Sequence, residues 1–563
     1  MKRWLCLIVL AACSSAPRTS TKTFDEAPAR FEELASLVVG HLHRLSPANA
    51  VALGYHDFDG VLPDRSPRAL AQQIAQLERD RAALEALTAL SPAQAFERDV
   101  LVQEVRRELF DLVDLDVFHT NPMAYSGAIN LDAYIIRDYA PLATRAAAVI
   151  KLCTDLPAYL GQARANLKLP IPRTWIDTAL LQTRGYLDFV DQDVRDELVG
   201  KIDAPIDLAL DACKQALVEH AAWLARQQPQ GTTAFALGEA RYLKMLRETQ
   251  GVDAQLATLV ALADEDLRRN LTAIEEAARA IDPKRPIAAI VNELAGEKPA
   301  ASEVLALATE QSAAMRQFLL DHKIVSIPSD DLALVRESPP FMRWNAAFLN
   351  RPGPFEQKKL PSYYYYSPPD PNWPVAEQQA YIPPRADLLF TTVHEVWPGH
   401  FLHGLHIRKH PSKVLQSFCT YSTNEGWAHY AEEMMFDAGV GDHAPRARVG
   451  MLKEALLRNV RFVVALAQHT RGMTVEQAQK VFEDKAFVDP GNARQQAVRG
   501  SFDPMYLAYT LGKIMIRKLA VEWRKQHPGA TLGEFHDALL SHACAPLPLI
   551  RRSMLGDGAG PPL

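Results

Sequence analysis

The segment Thr391–His400 carries two histidines and a glutamate that could serve a metal ion. It reads Thr-Thr-Val-His-Glu-Val-Trp-Pro-Gly-His, so His394 and His400 are six residues apart. On a straight helix that separation rotates the second imidazole by roughly 240° from the first, and the two rings would not converge. Pro398 has no N–H for the carbonyl of His394, and glycine accepts turns that other residues resist. We therefore expect the helix to break just past Glu395 and to bring His400 back towards His394.

A second segment can complete the site. It reads Asn-Glu-Gly-Trp-Ala-His-Tyr-Ala-Glu-Glu from Asn424, and Glu425 lies 25 residues after His400 at a predicted helix start. Two imidazoles and one carboxylate form a three-ligand zinc site with a fourth position left for water. Zinc lowers the pKa of such a water to about 7, and Glu395 is the expected general base that takes its proton. The donor set suits zinc but tolerates cobalt or manganese.

Some assignments within these segments stay open. His403, His406 or His429 could supply the second imidazole instead of His400. His429 lies one helical turn from Glu425, so it could be a ligand, a donor behind a ligand or a substrate contact. Glu432 could orient a ligating histidine or could be a surface charge.

A predicted helix over residues 501–520 carries a polar stripe on an otherwise apolar surface. The stripe consists of Tyr506, Tyr509, Lys513 and Arg517. A hydrolase needs donors for the developing oxyanion, and we expect Tyr509 to serve, with Tyr506 as second choice. Lys513, Arg517 and the nearby Arg499 are candidate substrate-binding groups, since arginine can grip a carboxylate through two hydrogen bonds. The alternative is that this stripe is a solvent-exposed helix face.

Four consecutive tyrosines, 363–366, precede the first motif in a region rich in proline. If they form a strand, its edge could take up a substrate backbone as an additional strand, with Tyr364 among the contacts. The equally weighted alternative is aromatic packing beneath the motif helix.

The elements that must position these residues are mostly helices. Apolar residues recur at helical spacing over most of the chain, and strand-like alternation is scarce. The fold class we expect is mainly α, a large multi-helix fold. A small β element should precede the helix that carries His394 and Glu395, which we call the motif helix. The predicted organisation comprises a signal peptide over residues 1–12, a lipidated cysteine and tether over 13–24, a helical region over 25–330, a catalytic region over 331–555 and a flexible tail over 556–563.

The N-terminus predicts the compartment. Two basic residues, a short apolar run and two alanines directly precede Cys13, as in a secretory signal that ends in a bacterial lipobox. We expect Cys13 to be lipidated, which would attach the protein to a membrane. Ser14, rather than Asp, favours the outer membrane of a Gram-negative bacterium, with the protein facing the periplasm. A plain secretory peptide with a chance cysteine is the alternative.

Composition excludes several classes of protein. The net charge of −6 over 563 residues gives no electrostatic footprint for nucleic acid. No window has the 18 or more apolar residues of a spanning helix. Six cysteines are too few for a disulfide scaffold. Four of them, Cys153, Cys213, Cys419 and Cys544, could pair in the periplasm, but buried free thiols are at least as compatible with the sequence.

The motifs resemble two known groups. The pairing of histidines on one helix with a glutamate on a later one is similar to the gluzincin arrangement, and Asn424–Ala428 is similar to the Asn-Glu-Gly-Phe-Ala run of aminopeptidases in that clan. The His-Glu-x-x-Pro-Gly-His run resembles the DUF885 family of bacterial proteins, whose members are often lipoproteins. Further similarity to that family lies in Leu53–Asp57 with Asp64–Ser66, in Ser501–Lys513 and in Phe535–Leu540.

The resemblance implies a mostly helical, zinc-dependent peptidase-like fold. It implies His394, His400 and Glu425 as zinc ligands and Glu395 as the base, but it supplies no substrate. We therefore expect a zinc metallopeptidase acting on short peptides in the periplasm. The alternatives are a metallohydrolase of another amide and a metal- or peptide-binding lipoprotein without turnover.

Overall fold

A computed structural model describes residues 26–563, except for 204, 340, 341, 344, 345 and 557. Side chains are described from residue 30 onward. The predicted signal peptide and the lipidation site at Cys13 lie outside these residues. The described chain is mainly helical with one small sheet, as predicted. No helix within this part of the chain is long and apolar enough to cross a membrane.

Helices α1 to α15 precede the sheet. They are α1 (Glu26–Leu45), α2 (Pro47–Leu53), α3 (Pro67–Glu85), α4 (Pro92–Leu109), α5 (Val117–Thr120), α6 (Met123–Ser126), α7 (Asp132–Ile136), α8 (Leu142–Asn166), α9 (Arg173–Phe189), α10 (Arg195–Leu198), α11 (Ile206–Gln227), α12 (Glu239–Gln250), α13 (Leu256–Ile281), α14 (Ile287–Ala295) and α15 (Val304–His322). Local sequence explains where α4 begins. At α4, the Ser91 hydroxyl accepts from the N–H of Gln94, while Pro92 needs no partner in the first turn.

A three-stranded sheet separates the two sets of helices. Its strands are β1 (Ala333–Glu337), β2 (Ala347–Asn350) and β3 (Ser362–Tyr366). The order is β1-β3-β2, with β1 parallel and β2 antiparallel to β3. The tyrosine strand is therefore central and both of its edges are paired. The expectation that its edge takes up substrate is wrong, because β1 and β2 occupy its two edges.

Helices α16 to α26 follow the sheet. They are α16 (Val375–Tyr381), α17 (Arg385–Glu395), α18 (His400–Lys409), α19 (Lys413–Ser417), α20 (Tyr421–Asp437), α21 (Pro445–Thr470), α22 (Val475–Ala486), α23 (Pro490–Phe502), α24 (Ala508–Gln526), α25 (Leu532–Leu540) and α26 (Leu547–Leu555). The expected single helix over 501–520 is instead two helices. Pro504 disfavours helical backbone in the residue before it, so α23 ends at Phe502.

One continuous apolar core joins both sets of helices, with buried side chains from Phe31 to Ile550. A disulfide between Cys419 and Cys544 ties the segment before α20 to the segment before α26. Cys153 and Cys213 are buried free thiols. The last residues fold back on the body, since the Pro561 carbonyl accepts from Lys518 at 2.9 Å.

Candidate functional site

The break between α17 and α18 creates the two-histidine geometry. As predicted, α17 ends at Glu395 and α18 begins at His400. Gly399 joins the two helices with φ −65° and ψ −133°, and its lack of a side chain is needed there. The requirement is space, because a Cβ at Gly399 would lie 1.7 Å from the carbonyl oxygen of His394. The close approach of the two helix ends at this glycine places the imidazoles edge to face with ring centroids 4.8 Å apart.

The donor atoms of His394, His400 and Glu425 converge. All three lie within 4.8 Å of one another, and among the described residues they are the cluster that could hold a metal ion. Oε2 of Glu425 is 3.4 Å from Nε2 of His394 and 3.3 Å from Nε2 of His400, yet it makes no hydrogen bond. Ligands 2.0–2.2 Å from a tetrahedral zinc ion are roughly 3.4 Å apart. The three residues therefore fit a zinc ion.

A carboxylate behind His394 orients its ring. Nδ1 of His394 lies 2.6 Å from Oε1 of Glu432, which is almost fully buried. Arg458 approaches the same oxygen at 3.3 Å. Burial and Arg458 both lower the pKa of His394, but Glu425 and Glu432 outweigh them and raise it to about 9. Glu432 thus directs Nε2 of His394 towards Glu425, as carboxylates behind metal ligands do.

The other candidate histidines lie apart from this cluster. Nε2 of His403 bonds to the carbonyl of Ala543, and Nε2 of His406 bonds to that of Ser326. His429 is fully buried, with Nδ1 3.3 Å from Glu432, and burial lowers its pKa to about 3. A neutral His429 supports Glu432 from behind, and its burial leaves it no surface for a substrate.

Glu395 is held at the edge of the sheet. The N–H of Leu349 in β2 donates to Oε2 of Glu395 at 3.0 Å. This N–H points away from β3, so the outer edge of β2 borders the metal cluster. Glu395 directly follows His394 and is half-buried. Its carboxylate therefore lies beside the cluster without belonging to the ligand set.

Tyr509 borders the cluster on the side of α24. Its ring centroid is 6.4 Å from that of His394, and the guanidinium of Arg461 lies 4.9 Å above the ring. Tyr421 packs edge to face against Tyr509. The Tyr421 hydroxyl accepts a hydrogen bond of 2.9 Å from Arg499, whose Nε donates to Asp503. Tyr421 thus lies between Arg499 and Tyr509.

Two glycines bring Tyr509 close to the cluster of His394, His400 and Glu425. A Cβ at Gly426 would lie 2.5 Å from Cα of Gly512, and a Cβ at Gly512 would lie 1.9 Å from the carbonyl oxygen of Ser422. Helices α20 and α24 therefore cross with their backbones in contact. Gly426 neighbours Glu425 in sequence, and Gly512 lies one turn after Tyr509.

Several predicted substrate residues have other contacts. Lys513 is almost fully buried and pairs with Glu433, and Arg517 donates to the same carboxylate at 3.0 Å. Arg269 adds a two-pronged bond to Glu433. Lys513 is thus committed to a buried ion pair, and the prediction that it binds substrate is wrong. Arg517 belongs to the same network but its side chain is exposed, so its role in substrate binding stays a prediction.

Two tyrosines also need correction. Tyr506 lies in the connection before α24 rather than on its polar stripe, and it is fully buried with its hydroxyl against Gly500. It cannot donate to a substrate. Tyr364 is buried with its hydroxyl 3.3 Å from Oγ1 of Thr392 in α17. The alternative of aromatic packing beneath the motif helix therefore holds for Tyr364.

A large cavity adjoins the site. It has a volume of about 810 Å³ and includes Leu349 and Tyr421, both of which contact site residues, in its lining. Its far wall comes from the first set of helices and includes the acidic side chains of Glu104, Glu108 and Asp111. The cavity thus lies between the end of β2, the segment at the start of α20 and the first set of helices.

Four residues around the site have no motif to mark them in the sequence. They are Leu349, Tyr421, Arg458 and Arg461. Leu349 belongs to a short strand whose position depends on pairing with a distant segment. Arg458 and Arg461 reach the site only through the packing of α21 against α17 and α20. Sequence reasoning therefore missed all four.

Two solved structures share this fold. A candidate lipoprotein of unknown function from Shewanella oneidensis is 23% identical, with a TM-score of 0.78 over 93% of this chain and 99% of its own. A candidate lipoprotein from Colwellia psychrerythraea is 15% identical, with a TM-score of 0.72 over 93% of this chain and 98% of its own. An M32 carboxypeptidase from Deinococcus radiodurans R1 is 13% identical over 96% of this chain and 97% of its own, but its TM-score of 0.40 supports no conclusion.

Sequence comparison identifies the family. No curated protein matches the chain at a significant level. The profile of a family described as bacterial protein of unknown function (DUF885) matches residues 47–554, which is most of the sequence. The chain therefore belongs to the DUF885 family.

Proposed function

We propose that this protein is a zinc-dependent hydrolase of peptide bonds, with a gluzincin-like site. The observation that carries the proposal is the convergence of donor atoms from His394, His400 and Glu425 beside a carboxylate, Glu395, that is not a ligand. A protein that only bound a metal or a peptide would have no need of that carboxylate. Its position therefore favours chemistry over binding alone.

The residues divide the work of hydrolysis. A zinc ion held by the three ligands would supply Lewis acidity and lower the pKa of a water molecule. Glu395 takes a proton from the attacking water and returns it to the leaving amine. Leu349 fixes the Glu395 carboxylate through its N–H. The Tyr509 hydroxyl donates to the carbonyl oxygen as negative charge develops there, while Arg461 and Arg499 support that side of the site.

The cavity supports short peptides as the substrate class. Its volume of about 810 Å³ lies within the range of small-ligand sites, and walls from both sets of helices surround it. A folded protein would not fit between those walls. The outer edge of β2 is the border along which an extended peptide could lie.

We also propose a lipid anchor at Cys13 and a location at the outer membrane, facing the periplasm. The signal-like N-terminus carries this proposal, and the two similar structures described as candidate lipoproteins support it. A periplasmic location is compatible with the disulfide between Cys419 and Cys544, since disulfides persist in oxidising compartments.

A peptide library tests the proposal. The purified zinc-loaded protein and its Glu395→Gln variant are incubated with mixed short peptides, and products are identified by mass spectrometry. Glu377→Gln, an exposed glutamate on α16, is the matched control. We expect cleavage by the parent and the control and a loss of about 10²-fold or more in the Glu395 variant, as for removal of a general base. Equal cleavage by all three proteins, or by none, would contradict the proposal.

A further inference from the structure

Arg351 lies close to the cluster along the chain. It follows Leu349 by two residues, and the N–H of Leu349 donates to Glu395. Two residues of extended chain span at most about 7 Å. The backbone of Arg351 is therefore within about that distance of the residue that holds the proposed general base.

The side chain of Arg351 packs against α18, the helix that begins at His400. Its Cδ and Nε lie 2.8 Å, and its Cζ 3.0 Å, from where a Cβ on Gly404 would be. Gly404 is one turn after His400 on α18, and residues four apart share a helix face. The Arg351 guanidinium thus lies over the face of α18 that carries His400, roughly 6 Å further along the helix. The absence of a side chain at Gly404 makes room for it.

This guanidinium has no counter-charge among the described residues. Burial, together with the positive charges of Arg408 and Arg137, lowers the pKa of Arg351 to about 10. Arg137 donates to the Arg351 carbonyl, and Arg408 donates to the Gly353 carbonyl. No described carboxylate pairs with Arg351, and no described carbonyl accepts from its guanidinium.

Arg351 is half-buried, and a partly buried charge without a partner is less favourable than a paired one. Arg351 lines the cavity together with Leu349 and Tyr421, so a molecule in the cavity can reach it. A planar guanidinium binds a carboxylate through two parallel hydrogen bonds. A carboxylate in the cavity would therefore supply the missing counter-charge.

We propose that Arg351 binds a carboxylate of the substrate, beside the bond that is cleaved. This inference rests on the proposed peptide hydrolysis. Because the Arg351 backbone lies within about 7 Å of Leu349, whose N–H holds Glu395, we place the carboxylate within one or two residues of that bond. It is therefore either the free C-terminus of the peptide or an acidic side chain next to the cleaved bond. In both cases the preferred peptides are anionic at that point.

Binding measurements test this without requiring turnover. Zinc-loaded Glu395→Gln protein is titrated calorimetrically with acetyl-Ala-Ala, its C-terminal amide and acetyl-Ala-Glu amide. We expect one of the two carboxylate peptides to bind about tenfold or more tightly than acetyl-Ala-Ala amide. Acetyl-Ala-Ala would identify the C-terminus, and acetyl-Ala-Glu amide would identify an acidic side chain. Equal binding of all three, or binding of none at millimolar concentration, would overturn the proposal.

Substitutions assign the preference to Arg351. Arg351→Met is added to the Glu395→Gln protein, and Arg336→Met, an exposed arginine on β1, is the control. We expect Arg351→Met to remove the preference and the control to keep it. Since the charge lost is unpaired, Arg351→Met should not lower Tm, whereas a purely structural arginine would. A preference that survives Arg351→Met overturns the proposal.

A second substitution tests the proposal if the Arg351→Met variant does not fold. A Cβ introduced by Gly404→Ala would displace the Arg351 side chain, so this variant should also lose the preference. Its retention would count against the proposal. If the parent cleaves peptides with help from Glu395 but shows no carboxylate preference, peptide hydrolysis stands and only the role of Arg351 fails.

Discussion

At the scale of single residues, Glu432 and Glu433 are neighbours in sequence with separate tasks. Glu432 accepts from His394 behind the ligand set, whereas Glu433 pairs with Lys513, Arg269 and Arg517 on another face of α20. Although burial alone would raise the pKa of Glu432, the charge of Arg458 and the hydrogen bonds from His394 and His429 hold it well below its ordinary value. Glu432 therefore stays ionised and orients His394.

This division predicts a selective effect on metal affinity. Glu432→Gln should weaken zinc binding by about 10–100-fold, because carboxylates behind ligating histidines have effects of that size. Glu433→Gln should leave zinc affinity unchanged, although it breaks a buried ion-pair network. Competition with a chromogenic chelator measures both. Equal weakening by the two substitutions would mean that any buried charge on α20 affects the site.

The cluster of His394, His400 and Glu425, and the position of Glu395 beside it, could be predicted from residue types and spacing. The partners of the polar stripe could not. Lys513 and Arg517 have helical spacing, which indicates a shared face, but only the packing of α24 against α20 brings Glu433 to that face. The proposed role of Arg351 could not be predicted from the sequence either. It depends on the space left by Gly404 and on the lack of a counter-charge among the described residues.

At the scale of elements, the disulfide anchors the start of the helix that carries Glu425. Beside it, the Thr420 N–H donates to the Cys544 carbonyl, and the Thr423 hydroxyl donates to the Ala545 carbonyl. Glu425 follows within two turns. The segment before α26 therefore holds the first turn of α20 in place.

Removal of this cross-link should lower stability substantially. The bonded cysteines are 125 residues apart, and loop-closure entropy for that length corresponds to about 5 kcal/mol. We expect the double variant Cys419→Ser with Cys544→Ser to lose about 2–5 kcal/mol of unfolding free energy in urea. Reducing agent should have little further effect on the double variant. A parent whose stability is insensitive to reducing agent would contradict this prediction.

The sequence predicted the helix break after Glu395, because the proline acts locally. It also predicted a small β element, although not the central place of the tyrosine strand. Strand order depends on which segments meet in space, and nothing within Ser362–Tyr366 encodes it. Likewise, the spacing of cysteines could not show which of them pair.

At the scale of the whole molecule, the first helices are attached to the loop that follows Arg351. The N–H of Phe355 donates to the carbonyl of Leu53 at 3.0 Å. His56 bridges Asp59 and Glu356 with bonds of 3.0 and 3.1 Å. Burial lowers the pKa of His56, but the hydrogen bonds to both carboxylates outweigh it and raise the pKa to about 9.

This bridge predicts a dependence of stability on pH. Because the folded pKa of about 9 exceeds the ordinary value of 6.5, the contribution is complete below pH 6.5 and is lost as pH rises through 9. The side chain is 27% exposed, so solvent screening reduces the contribution to about 2 kcal/mol. Urea unfolding of the parent and of His56→Asn at pH 6 and pH 10 measures it. The parent should exceed His56→Asn in unfolding free energy by a large amount at pH 6 and by a small amount at pH 10. A larger difference at pH 10 than at pH 6 would contradict the assignment.

The most direct test of the central claim locates the metal. Anomalous diffraction on both sides of the zinc absorption edge is recorded from crystals of the purified protein grown with zinc. We predict one peak within about 2.3 Å of Nε2 of His394, Nε2 of His400 and a carboxylate oxygen of Glu425. No peak at these atoms, or a full peak on other residues, would contradict the account.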